Sequence, residues 1–177
     1  MAPIQTTPAA IRHAGSAWPD REAVVDGQWG ARMSLTWIEL LGMVRTFAAA
    51  LVASDISPGD RVALWAPNSF HWPIAALGVQ YAGAVLVPLN SRYTATEAVE
   101  IIERADARAV VVSGEFLGGN HLTDLLDGHR ESLPGLVIRV PLADRSTVPD
   151  GAISWHDFLT RATDADRVEA DRRAEAV

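Results

Sequence analysis

The sequence predicts an α/β fold: a doubly wound, mainly parallel sheet with flanking helices, plus a small amino-terminal β-hairpin. Three observations carry it. Residues 61–65, 84–87 and 108–113 are short, almost wholly apolar runs bounded by turn residues, the pattern of strands buried on both faces. The segments between them, ending near Tyr81 and Ala105, are each long enough for one crossover helix, as parallel neighbours require. Turn or cap residues stand at the junctions: Ser57-Pro58-Gly59-Asp60, Pro67-Asn68-Ser69, Gly83 and Pro88.

Taken in order, Thr7-Pro8 opens a helix, because Thr caps and Pro is pre-set for a first turn, with Ile11, Ala14 and Trp18 on its apolar side. Trp18-Pro19-Asp20 ends it. A strand over Glu22–Asp26, a turn bracketed by Gly27 and Gly30, and a return over Arg32–Leu35 make the hairpin. Thr36 and Glu39 have capping-box spacing and open the longest helix, through about Ala53, with Leu40, Val44, Phe47 and Leu51 on one face. The turn at 57–60 launches the strand Arg61–Trp65. Asn68 or Ser69 is the expected cap of the next helix, whose face carries Ile74, Leu77, Gly78 and Tyr81 before Gly83 closes it.

The strand Ala84–Val87 is expected to lie parallel to the one at 61–65. Thr94 and Glu97 repeat the capping box for a helix through Ala105 that presents Ala98, Ile101 and Ile102 to the sheet. After the strand Arg108–Ser113, a loop over Gly114–Asn120, a helix over Leu122–Arg130 and a fourth parallel strand over Leu136–Val140 are predicted. Asp144–Gly151 is a polar linker, and Ser154 caps a short helix to about Arg161. From Asp164 to Val177 acidic residues, Arg and Ala alternate; a helix with one solvated face and a frayed tail are both open, fraying being favoured.

With 177 residues and an apolar fraction near half, the chain is expected to form one globular domain. The net charge of -7 and the lack of a basic cluster argue against nucleic acid as a partner. Cys is absent, which excludes disulfides and thiolate chemistry. The first residues lack the basic start and apolar core of a signal peptide, and the apolar stretch 75–89 falls short of a membrane span, so a cytoplasmic location is expected. All fifteen basic residues are Arg. Without Lys, a phosphate-cradling glycine loop of the usual kind cannot be completed, and Schiff-base chemistry is excluded.

Gly114, Gly118 and Gly119 fit neither nucleotide-binding spacing, the five His residues show no metal-ligand spacing, and no Ser sits in a nucleophile elbow. No catalytic, cofactor-binding or metal residue is therefore assigned. The candidates for a substrate pocket are Asn90, Arg92 and Tyr93, which follow the carboxyl end of a parallel strand, where open α/β sheets place their crevices. Arg92 would steady an anion and Tyr93 line an apolar pocket. The plainer alternative, which the residues alone favour, is an Asx turn at Asn90, an Arg92 paired to a carboxylate and a packed Tyr93 ring.

Pro58-Gly59-Asp60-Arg61-Val62-Ala63, Pro67-Asn68-Ser69, Ala82-Gly83-Ala84 and Val87-Pro88-Leu89-Asn90-Ser91-Arg92-Tyr93 resemble the amino-terminal region of adenylate-forming (AMP-binding) acyl-CoA ligases. Trp18-Pro19-Asp20 and Leu35-Thr36-Trp37-Ile38-Glu39-Leu40 also fit; the likeness runs from about Pro8 to Val112 and then weakens. Within that family, residues 90–98 and Phe116-Leu117-Gly118 resemble the bacterial ligases that activate an indane-propionate left by steroid ring degradation. The resemblance implies a two-step reaction in which a carboxylate, ATP and Mg give an acyl-adenylate and CoA then displaces AMP. It also implies that the groups holding the triphosphate, a Ser/Thr/Gly-rich loop with Lys among them, come later than this chain. A subdomain of a larger ligase, inactive alone, binding no cofactor, partnered by the missing remainder and open to homo-oligomer formation, is the expectation. A steroid-derived propionate is the first choice of acid and a fatty acid the second; a non-catalytic interaction domain is the alternative.

Overall fold

The turn Ser57–Asp60 forms as its residues require: the Asp60 amide donates to the Ser57 carbonyl at 3.0 Å, Gly59 takes φ +86°, and the Asp60 carboxylate accepts from the Ser57 amide at 2.8 Å. The computed structural model describes residues 5–28, 32–142 and 147–176. Gly30 of the predicted turn, Asp144 at the head of the predicted linker, the first four residues and Val177 lie outside the described residues.

The elements are α1 (Thr7–Ala17), β1 (Glu22–Asp26), β2 (Met33–Thr36), α2 (Trp37–Val52), β3 (Arg61–Trp65), α3 (His71–Tyr81), β4 (Val85–Pro88), α4 (Ala95–Arg104) and β5 (Ala107–Ser113). They continue with β6 (Glu115–Phe116), β7 (Gly119–Asn120), α5 (His121–His129), β8 (Leu136–Val140), β9 (Ile153–Ser154), α6 (Trp155–Leu159) and α7 (Asp164–Ala176). The main sheet has the order β4-β3-β5-β8-β9 and every pairing in it is parallel. Val62 lies between Leu86 and Ala109, and Val110 beside Val137.

Alternate residues of the central strands feed two cores. Val62, Leu64, Val111 and Ile138 face α2, α3, α6 and α7. Ala63, Trp65, Val110, Val112 and Val137 face α4 and α5 through Ala98, Ile102, Leu122 and Leu125. Both faces of β3 and β5 are thus dry, which is why their sequences are continuous apolar runs. At Gly78 α3 packs tightly on α2: a Cβ there would stand 2.7 Å from the Phe47 ring. After α3, Gly83 takes φ +77°, its amide donates to Gln80 O and the Ala84 amide to Val79 O, a Schellman ending that returns the chain into β4.

Both predicted capping boxes form, Thr36 with Glu39 and Thr94 with Glu97. Several boundaries differ from the sequence reading. Thr6 rather than Thr7 caps α1, accepting from the Ala9 amide at 3.3 Å. Trp18 stays 44% exposed, because it is the capping residue beyond the helix rather than part of its apolar side. On α4, Val99 is buried and Ile101 only half-buried. Gly114–Asn120 is not a plain loop: β6 and β7 pair as a hairpin whose tip, Leu117 at φ +51° and Gly118 at φ +82°, has the positive angles of a tight primed turn. β4 is an edge strand, leaving Val85 48% exposed.

The closing segment is helical and docked rather than frayed. Ala170 and Ala174 are buried, Tyr81 donates to Asp171 at 2.9 Å, Arg45 binds the same carboxylate through two nitrogens, and Arg173 donates to the Ile56 carbonyl at 2.7 Å. Burial pulls the Asp171 carboxyl upward, but the hydrogen bonds from Arg45 and Tyr81 outweigh it and hold the group below its ordinary range. Burial, with the bond to Asp171, pushes the Tyr81 hydroxyl up to about 12.

The predicted cap of α3 is replaced by a distant one. Phe70 occupies the cap position with helical angles (φ -63°, ψ -22°) and no capping side chain, since the chain already turns there, Trp72 N to Ser69 O at 3.1 Å. Its amide instead donates to Asp26 Oδ2 at 2.9 Å, while Asp26 Oδ1 accepts from Gln28 at 3.0 Å. A buried carboxylate on the hairpin therefore closes a helix start on the sheet domain. Asp26→Ala is expected to cost about 1–3 kcal/mol in urea unfolding, and Asp26→Asn, which keeps an acceptor, less. Equal stability of all three proteins would contradict this role.

Candidate functional site

In an open parallel sheet, loops that leave neighbouring strands toward opposite faces part above the carboxyl ends and leave a crevice there. The neighbours here are β3 and β4, whose loops lead to α3 and α4 on opposite faces, with β5 on the other side of β3. The crevice above them has a volume of about 520 Å³. Ala66, Pro67 and Asn68 line it after β3, Leu89 to Arg92 after β4, Phe116 from β6, Trp72 from α3, and Gln28 beyond β1. A larger cleft of about 1020 Å³ opens at the amino-terminal ends of β5 and β8, between Ser54, Asp106, Gly135 and Arg161. Helix carbonyl ends and carboxylates gather there, and it sits at the end of the sheet where such folds do not place ligands, so the smaller crevice is the candidate.

The loop after β4 is tightly built. Leu89 N donates to Leu64 O at 2.9 Å, and the Trp65 indole Nε1 and the Tyr93 amide both donate to the Asn90 carbonyl at 3.0 Å. The Asn90 side chain accepts from the Arg92 amide at 2.9 Å, so the Asx turn of the plainer alternative is present. The rest of that alternative is not. Arg92 is exposed and, among the described residues, its guanidinium has no carboxylate partner. Tyr93 is 38% exposed rather than packed. Of the three residues singled out from sequence, Asn90 and Arg92 line the crevice and Tyr93 stands outside its lining.

Sequence reasoning missed Trp72 and Phe116, which the fold brings to one crevice, and His121, which packs against Phe116. His121 stacks on Trp65, ring centroids 3.9 Å apart and planes 15° apart, and Phe116 meets its ring at 5.8 Å and 60°. The His121 Nδ1 lies 3.3 Å from Ser113 Oγ. Burial lowers its pKa, against a weaker pull from Asp124 in the other direction.

Under the same end of the sheet His71 is enclosed by Phe70 at 3.8 Å and Trp155 at 4.9 Å, and neither His71 Nδ1 nor Ser69 Oγ has a hydrogen-bond partner among the described residues. Burial lowers the His71 pKa to about 4, with Asp26 opposing.

The glycine segment offers no phosphate cradle, for its backbone is engaged in the β6–β7 ladder and in the His121 N to Gly114 O bond at 3.2 Å. Among the described residues no group of three or more His, Asp or Glu could hold a metal ion.

A sequence profile for the family described as AMP-binding enzyme matches residues 11–173. The 3-[(3aS,4S,7aS)-7a-methyl-1,5-dioxo-octahydro-1H-inden-4-yl]propanoyl:CoA ligase of Rhodococcus jostii (strain RHA1) is 45% identical over 172 residues, covering 97% of this chain and 33% of that protein. The protein of the same name from Mycobacterium tuberculosis (strain ATCC 25618 / H37Rv) is 40% identical over 170 residues, 94% of this chain and 30% of that one. The crystal structure of a benzoate CoA ligase from Burkholderia xenovorans LB400 superposes with a TM-score of 0.70 over 89% of this chain and 29% of its own, at 24% identity, which speaks to the fold alone. This chain thus spans about a third of the length of the curated relatives it matches.

His71 is neutral in the fold down to about pH 4, whereas in the unfolded chain it protonates near 6.5. Its contribution is complete above pH 6.5 and is lost as pH falls toward 4. Urea unfolding at pH 7 and pH 5 is expected to show a loss on the order of 2 kcal/mol that His71→Phe removes. An unchanged pH difference in the variant would contradict it.

Proposed function

The chain belongs to the AMP-binding enzyme family, and on that footing we propose that it forms the amino-terminal part of an ATP-dependent acyl-CoA ligase. In such a ligase a carboxylate attacks the α-phosphate of ATP, releasing pyrophosphate and forming an acyl-adenylate, and the CoA thiol then displaces AMP. The observation that carries the reading is 45% identity across 97% of the chain to a ligase of that kind. The acid we infer is a bicyclic, steroid-derived propionate, the class printed in the names of both relatives.

This chain's share of the work is framework and one wall of a ligand crevice. The main sheet fixes the loop 89–93; Asn90 folds it, Arg92 presents its guanidinium to an anionic group, and Tyr93 offers an exposed ring beside them. ATP and magnesium do not fit the residues present. Charge developing on phosphate oxygens needs cations, oriented amides and a metal, and here Lys is absent, the glycine segment is a hairpin, and no metal-holding cluster occurs among the described residues. The triphosphate grip belongs to the part of such a ligase that this chain does not span, and that remainder is the partner we infer. Val85 on the β4 edge and Val25 and Met33 on the hairpin are exposed apolar positions that suit such cover, or self-association in its absence. A cytoplasmic location accompanies the reading; no helix among the described residues is long and apolar enough to cross a membrane.

Purified as the 177-residue chain, the protein is expected to show no acid-dependent exchange of pyrophosphate into ATP. Extended to the length of its relatives, it is expected to exchange, with the indane-propionate preferred over medium-chain and long-chain fatty acids. Exchange by the short chain, free of contaminating ligase, would refute the division of labour. A full-length protein silent toward every acid would favour a non-catalytic interaction domain.

A further inference from the structure

We propose that His121 is a positioning residue that couples the two lips of the crevice, so that the loop carrying Arg92 and the hairpin carrying Phe116 are held as one unit. One lip is reached through Trp65. The imidazole lies flat on the indole at 3.9 Å, and the indole Nε1 donates to the Asn90 carbonyl at 3.0 Å, the same oxygen that accepts from Tyr93 to close the 90–93 turn. The other lip is reached directly. The Phe116 ring meets the imidazole at 5.8 Å, and the His121 amide donates to Gly114 O at 3.2 Å, tying α5 to the entry of the β6–β7 hairpin.

Ser113, fully buried at the end of β5, stands 3.3 Å from Nδ1 and fixes the rotation of the ring. The chemistry of the position explains the residue type. An aliphatic side chain would fill the volume without a flat face for Trp65, and a phenyl ring would stack without a nitrogen for Ser113. Trp65, His121 and Ser113 are all buried, so the two lips join through a dry, close-packed path in which a change of ring orientation cannot be absorbed locally. The inference deepens the reading of this crevice as the ligand-facing side. It does not depend on which acid is activated, and its test needs no turnover.

The test is made on the 177-residue chain by 1H–15N NMR, following the Trp65 indole Nε1–H and the Arg92 and Phe116 amides. In His121→Ala the indole proton is expected to exchange roughly tenfold faster and both amides to shift together, the signature of one hydrogen bond loosened and two lips released. His121→Phe, which restores the stack, is expected to recover the indole protection. His121→Gln, which keeps a partner for Ser113 and loses the ring, carries the same expectation as alanine should the latter not fold. Leu126→Ala, a buried truncation on the same helix, controls for lost packing and is expected to leave the indole and Arg92 signals in place. Movement of Phe116 alone in the His121 variants, or the same pattern from Leu126→Ala, would overturn the proposal, whatever becomes of the ligase reading.

Discussion

The handedness of the crossovers at β3 is the constraint on which the rest of the molecule depends. A parallel strand–helix–strand unit turns to the right, so with β4 on one side of β3 and β5 on the other, α3 and α4 must cover opposite faces. They do, α3 packing with Val62 and Leu64 and α4 with Ala63 and Trp65. Two consequences follow from that one fact. β3 is dry on both faces and becomes the axis of both cores, and the loops that follow β3 and β4 leave for α3 and α4 on opposite faces, which opens a gap above the carboxyl ends of these strands. Trp65 belongs to both, a core residue whose indole edge reaches the crevice loop.

The fold was largely legible because its signals are local. Apolar runs, capping boxes at Thr36 and Thr94, and the left-handed glycines at 59 and 83 act within a few residues of themselves, so the sequence window that contains them contains their cause. What was not legible is non-local. The cap of α3 comes from Asp26, 44 residues away in sequence, and the docking of α7 depends on Tyr81 and Arg45 on two other helices. The two-residue strands β6, β7 and β9 are too short to show any period.

The crevice divides in the same way. Asn90 and Arg92 were legible, since a polar pair after a parallel strand marks the ligand end of the sheet, and the Asx turn at Asn90 is a local event. Tyr93 was placed in a pocket by adjacency alone, and one step along a turn was enough to carry it out of the lining. Trp72 and Phe116 reach the lining from α3 and β6, His121 of α5 packs against Phe116, and no spacing rule joins them. Resemblance reached further than periodicity here: residues 90–92 and Phe116, which carry the narrower likeness to ligases of steroid ring degradation, line one crevice although α4 and β5 lie between them in the chain.

A division of labour emerges in which geometry and electrostatics are held by different stretches of a ligase. The sheet supplies rigid strand ends and an arginine whose guanidinium has no carboxylate partner among the described residues, but neither a primary amine nor an open row of amides for a triphosphate. Calorimetric titration of the 177-residue chain with ATP, with and without magnesium, tests this most directly. The account predicts no saturable heat in either case; one-to-one binding in the micromolar range that requires magnesium would contradict it.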